Sequence, residues 1–160
     1  MMKITIISVG KIKEKYLKDA ICEYEKRLSR YCRLYIIEVD DEKTPDGAST
    51  AEESNIKQKE AERILKHVKE DAYVITLEIS GKMYDSVEFA RKLANLGIRG
   101  EGHIQFIIGG SLGLHDKVCS RADMALSFSK MTFPHQLMRV ILLEQIYRSY
   151  RINNGEPYHK

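Results

Sequence analysis

Five short apolar runs, rich in β-branched residues, are separated by segments of helical periodicity, and this alternation constrains the fold more than any other feature of the chain. The runs are KITIISV at 3–9, LYIIEV at 34–39, YVITL at 73–77, HIQFII at 103–108 and ALSF at 125–128. Between the first two, Tyr16, Leu17, Ala20, Ile21, Tyr24 and Leu28 share one stripe, while Lys13, Lys15, Lys18, Glu23, Lys26 and Arg27 occupy other faces. Strands joined through helices cannot pair as hairpins, so the expected fold class is α/β: a mostly parallel sheet with helices on both faces. The first run is β-branched and apolar enough to read as a strand buried on both sides.

The remaining segments fit this plan. Asp40 to Asn55 carries Pro45, Gly47 and six acids against one lysine, and reads as a surface loop running into a helix marked by Ile56, Ala61, Ile64, Leu65 and Val68. Gly81 closes the third strand unit, and Val87 to Leu96 reads as a helix ending near Gly97. A short helix is expected over Leu114 to Arg121, and a long one from Pro134 to about Ile152, with Gly155 and Pro157 as stop signals. At 160 residues, with three prolines, ten glycines and 43% apolar content, the chain reads as a single domain over 1–160 and not as a collagenous or disordered one. Three cysteines without a Cys/His cluster speak against a disulfide scaffold and a zinc site and for a reducing cytoplasm; no metal is expected. Neither an export signal nor a membrane span is expected.

The last helix carries a statement about assembly. Leu137, Met138, Val140, Ile141, Leu142, Leu143, Ile146, Tyr147 and Tyr150 leave few polar gaps around its circumference. A helix apolar nearly all round must be covered on more than one side. The sheet covers one side, so a homodimer through this helix is expected.

In open parallel sheets ligands lie beyond the carboxyl ends of the strands, which directs attention to the segments after Leu77, Ile108 and Phe128. The first candidate is FIIGGSLGLHDKV, a strand, glycine-rich turn and helix in which Gly109 and Gly110 would admit a ligand close to the backbone. It lacks the spacing of a dinucleotide fingerprint or a P-loop, and Val9-Gly10-Lys11 lacks one after the first strand, so an oxidoreductase is disfavoured. The second is the loop Ser127 to Thr132 leading into the last helix, where Lys130, His135 and Arg139 crowd an otherwise apolar element, His135 and Arg139 one turn apart. The third is the tail: Arg148 and Arg151, then Tyr158-His159-Lys160, able to stack on a base and contact phosphate.

Taken together, KITIISVGKIKEKY, VITLEISGK, FIIGGSLGL, LSFSKMTFPHQLMRVILLEQIYR and the closing PYHK resemble, in order and over the whole chain, the small SPOUT-superfamily methyltransferases of the ribosomal large subunit methyltransferase H type. That resemblance implies a trefoil-knotted α/β fold, S-adenosylmethionine as cofactor, and N3-methylation of a pseudouridine in 23S ribosomal RNA by a homodimer. It places cofactor contacts on Leu77, Gly109, Phe128, Ser129, Lys130, Met131, Thr132 and Phe133, at the same strand ends that topology singles out.

Methyl transfer from a sulfonium requires an in-line nucleophile, and a pseudouridine ring nitrogen is a poor one until it loses its proton. A nearby base, or a cation that stabilises the anion, would therefore help, and the candidates are His159, Tyr158 and Arg139, in that order. The net charge is +3, with residues 81–160 carrying eleven basic and seven acidic side chains. So mild an excess limits affinity from phosphates and points to a structured, assembled target, which the resemblance implies is ribosomal RNA in the ribosome. A SPOUT enzyme acting on another RNA and a nonenzymatic RNA-binding module are the alternatives.

Overall fold

The computed structural model describes residues 1–160. Its elements are β1 (Lys3–Val9), α1 (Lys15–Leu28), β2 (Arg33–Val39), α2 (Thr50–Leu65), β3 (Tyr73–Met83), α3 (Ser86–Ile98), β4 (His103–Ile108), α4 (Asp116–Arg121), β5 (Met124–Ser127) and α5 (His135–Asn153). The strands form one sheet in the order β2-β1-β4-β3-β5, and every pairing is parallel, as the alternation of strands and helices predicts.

Period-two alternation along β1 sends Ile4 and Ile6 to one face and Ile7 and Val9 to the other, and all four are buried. The first face packs, with Ile104 and Phe106 of β4, against Leu17 and Ile21 of α1, Phe89 and Leu93 of α3, and Leu142, Leu143 and Ile146 of α5. The second face packs against Ala61 and Ile64 of α2 and Val118 of α4. Each fully buried aliphatic side chain contributes about 1.5–3 kcal/mol of transfer free energy, so both layers are held chiefly by this burial.

Several boundaries differ from the sequence reading. Helix α2 starts at Thr50, inside the segment read as loop, because Ser49 and Glu52 form a reciprocal capping box: Glu52 N–H donates to Ser49 Oγ at 3.2 Å and Ser49 N–H donates to Glu52 Oε1 at 3.3 Å. Strand β3 does not end at Leu77. It breaks register there and resumes, with Lys82 and Met83 paired to Leu126 and Ser127 of β5, so Gly81 lies inside the strand. Helix α4 starts at Asp116, capped by His115, whose Nδ1 accepts from Lys117 N–H at 3.1 Å. Strand β5 sits one residue earlier than expected.

Helix α5 lies over β4 between α1 and α3. Leu142, Leu143 and Ile146 are fully buried in this one chain, whereas Val140, Ile141 and Tyr147 are half-buried and Leu137 is exposed. No helix is long and apolar enough to cross a membrane.

Candidate active site

Neighbouring parallel strands β3, β4 and β5 bring the loops at their carboxyl ends together, and a cavity of about 930 Å³ opens between those loops and the start of α5. Small-molecule sites of roughly 300–1,000 Å³ are usual in this position. Leu77, Gly109, Phe128, Ser129, Met131, Thr132 and Phe133 all line it, which is seven of the eight expected cofactor contacts. Lys130, the eighth, is exposed and does not line the cavity.

The lining is built by local chemistry. After β5 the chain turns on its serines: Ser127 Oγ donates to the Ser129 carbonyl at 3.1 Å, and Met131 N–H donates to Ser129 Oγ at 2.9 Å, which fixes the 127–131 loop. After β4, glycine is demanded at 109 by the loop's own closure, since a Cβ there would stand 2.9 Å from the Gly113 carbonyl carbon. Phe128, Phe133, Leu77, Leu126 and Met138 give apolar walls.

Glu78 is the only Asp, Glu, Lys or Arg on the lining. Its Oε2 accepts from Thr76 Oγ at 2.5 Å and its Oε1 from the Cys119 thiol at 3.5 Å, so the carboxylate is oriented from both sides. Burial, and then the charge of Glu78, push the Cys119 thiol up to about 11, which keeps it protonated and unreactive. Neither residue figures among the sequence candidates. An acid directly after the apolar run 73–77 was the available sign of Glu78, whereas nothing local marks Cys119.

His135 stands at the first turn of α5 and borders two spaces. One is the main cavity; the other is a crevice of about 380 Å³ lined only by polar residues and glycine, among them Lys11, Lys13, Asp40 and Asp41. Burial first, then the charge of Arg139, hold its imidazole below the usual histidine pKa.

The three residues proposed from sequence to act on the substrate lie elsewhere in this chain. Arg139 is 2% exposed and is not on the cavity's lining. Its Nη1 donates to Glu38 Oε2 at 2.6 Å and its Nη2 to the Gly10 carbonyl at 3.2 Å, tying α5 to the ends of β1 and β2. Tyr158 and His159 follow α5 in sequence and fold back along it, against Glu144, Tyr147 and Arg148. There Tyr158 Oη donates to Glu144 Oε1 at 3.1 Å and packs edge-on to Tyr147, while Arg148 Nη1 lies 3.1 Å from His159 Nδ1. Burial, then Glu144, push the Tyr158 hydroxyl up to about 12, so it stays protonated at neutral pH. Below it, Arg151 donates to Glu156 at 2.5 Å and to the Pro157 carbonyl at 2.9 Å, and Tyr31 donates to Glu156 at 2.8 Å. Nowhere do three or more His, Cys, Asp or Glu side chains group so as to hold a metal ion.

Comparison with known proteins gives this arrangement a family. Residues 2–159 match the family described as "Predicted SPOUT methyltransferase". The chain is 66% identical to a protein of Bifidobacterium adolescentis and 65% identical to one of Clostridium novyi, both named ribosomal RNA large subunit methyltransferase H, over 99% of its own length and 100% of theirs. A solved structure, a probable methylase family protein from Haemophilus influenzae, shares the fold with a TM-score of 0.55 at 13% identity, covering 98% of this chain and 70% of that one. With nearly its whole length matched, the chain belongs to the SPOUT methyltransferase family.

Proposed function

We propose that the chain is an S-adenosylmethionine-dependent methyltransferase of ribosomal RNA that works as a homodimer in the cytoplasm and methylates N3 of a pseudouridine in 23S RNA. The observation that carries the cofactor reading is the cavity itself. Its aromatic and aliphatic walls suit a purine, the fixed 127–133 loop offers backbone groups to the purine edge, and Glu78 supplies one carboxylate for a ligand with positive charge. Bound there, S-adenosylmethionine supplies a methyl group activated by its sulfonium charge. Leu77, Phe128, Phe133 and Met138 would sandwich and exclude water, and Glu78 would face the cationic end. The same reading carries the trefoil threading that the family resemblance implies.

Two features of the chain support the dimer. Exposed apolar side chains cluster on and next to the elements that frame the cavity: Ile79 and Met83 on β3, Met131 on the loop and Leu137 on α5. A second subunit would cover them. The tail is held against Glu144, Tyr147 and Arg148 of its own α5, and none of its residues lines the cavity of its own chain. An antiparallel pair of α5 helices related by two-fold symmetry would bring Tyr158 and His159 of each subunit to the other's cavity. Arg139, buried and ion-paired, then acts as a positioning residue for the start of α5 and His135.

Calorimetric titration with S-adenosylmethionine alongside the solution mass tests this directly. Saturable binding to a dimer, followed by methyl incorporation into ribosomes from a strain lacking the enzyme, is expected. A monomer, or a folded protein that ignores millimolar ligand, would refute it. Transfer to some other RNA, with ribosomes inert, would leave the SPOUT chemistry standing and overturn the substrate.

A further inference from the structure

The tail fixes a hydrogen atom as well as a position. Arg148 Nε and Nη2 both donate to Glu144 Oε1, at 3.1 and 2.7 Å, and its guanidinium carbon lies 4.7 Å from the centre of the Tyr158 ring. Held by the Glu144 carboxylate and the Tyr158 ring, the guanidinium directs Nη1 to His159 Nδ1 at 3.1 Å. Arginine has five N–H donors and no acceptor, so the imidazole must receive this bond through the Nδ1 lone pair. A neutral imidazole carries one ring hydrogen, which places it on Nε2. Protonating the ring would put an N–H against an arginine N–H and break the contact. His159 is exposed, and Nε2, across the ring from Arg148, is directed away from that contact.

A proton acceptor needs the reverse arrangement, with a lone pair toward the substrate. We propose that His159 serves the reaction as a hydrogen-bond donor through Nε2, locked in that tautomer by Arg148, and that the Glu144–Arg148 pair is there to position it. This inference rests on the reading above, in which the tail reaches the partner's substrate. A ring nitrogen flanked by two carbonyls becomes nucleophilic on losing its proton, and the negative charge spreads to the two flanking oxygens. A fixed N–H donor at one of those oxygens stabilises the anion and favours ionisation. The balance is simple. The ring N–H proton leaves to solvent water, the nitrogen lone pair forms the new N–CH3 bond, and the donor's C–S bond breaks with its pair remaining on sulfur. His159 ends the step with the hydrogen with which it began.

The test compares His159→Gln, whose amide donates but cannot take up a proton near neutral pH, with His159→Ala, using ribosomes from a strain lacking the enzyme and saturating S-adenosylmethionine. The expected result is kcat within about tenfold of the parent for His159→Gln, an unaltered pH profile, and a loss of a hundredfold or more for His159→Ala. If both variants fall equally, the donor role is wrong while the tail still belongs to the site. If His159→Ala retains full activity, the tail reading fails and this inference with it. Independently of turnover, two-bond proton–nitrogen NMR correlations of the imidazole should show the Nε2–H form in the parent and a mixture in Arg148→Met. The Nδ1–H form in the parent would overturn the proposal.

Discussion

Replacing Gly81 by alanine tests the least expected part of the fold, the resumption of β3 beyond its register break. A Cβ at this position would lie 2.8 Å from the carbonyl carbon and oxygen of Ala125 and from the carbonyl carbon of Leu126. Ordinary contact begins at 3.4 Å, so β5 would have to retreat by about 0.6 Å, and backbone cannot swing aside as a side chain can. Overpacking of this kind costs roughly 1–3 kcal/mol, and loosening the Lys82–Leu126 and Met83–Ser127 pairings adds about 1 kcal/mol more. For a chain of 160 residues that total corresponds to a fall in Tm of roughly 5–15 °C. Because Leu126 and Ser127 line the cavity, affinity for S-adenosylmethionine should fall too. Gly102→Ala is the control, since a Cβ there meets nothing within 4 Å. Calorimetric melting of both variants would refute the argument if Gly81→Ala unfolds within 2 °C of Gly102→Ala by the same scale of about 2–4 °C per kcal/mol.

Three further outcomes are expected. Glu78→Gln should weaken S-adenosylmethionine binding about fivefold, near 1 kcal/mol, yet scarcely change binding of the product thioether, which has lost the sulfonium charge; equal losses in titration calorimetry would place the carboxylate against another part of the ligand. Ser49→Ala should lower stability by about 1 kcal/mol through the lost cap and leave ligand affinity unchanged, as denaturant melts would report. Burial first, then Lys3, hold His103 below its ordinary pKa, and burial and Arg139 do the same to His135. Below about pH 6.5 the unfolded chain therefore binds more protons than the folded one, so stability is intact above that pH and declines on acidification. His103→Gln should flatten part of that decline in melts between pH 7.5 and 5.5, and an unchanged slope would remove His103 from the account.

What could be read in the sequence depended on whether its cause was local. The strands were legible because β1 and β4 are buried on both faces and carry almost unbroken apolar runs. The site followed from topology: once the sheet is parallel, the loops after Leu77, Ile108 and Phe128 must gather at one edge. The first turn of α2 escaped because it is polar and faces solvent, leaving only the Ser49/Glu52 spacing as a sign. The second half of β3 escaped because Glu78 to Gly81 reads as a turn and is held extended by a distant strand. The ion pair that buries Arg139 escaped for the same reason. Its partner Glu38 lies 101 residues earlier, and no helical spacing announces such a pair.

The tail supplies the last test, because stability alone is a poor reason for its construction. The end of a chain is costly to order, and what an ion pair returns is offset by desolvation of its charges and by the entropy of holding two long side chains in one geometry. Here Arg148–Glu144 and Arg151–Glu156 are joined by Tyr31, Tyr147 and Tyr158, yet neither buried core cluster counts any of residues 154–160 among its members. Removing residues 157–160 strips Tyr158 from Tyr147 and His159 from Arg148 while leaving α5 and the cavity intact. The expected loss is about 1 kcal/mol, a few degrees in Tm for a domain of this size. S-adenosylmethionine should bind the shortened protein as before, since no residue of the tail lines the cavity of its own chain. Methylation of ribosomes should nevertheless collapse, because the proposed donor to the substrate carbonyl is gone. A shortened protein that methylates at the parental rate would mean that the polar network does no more than hold down a loose end.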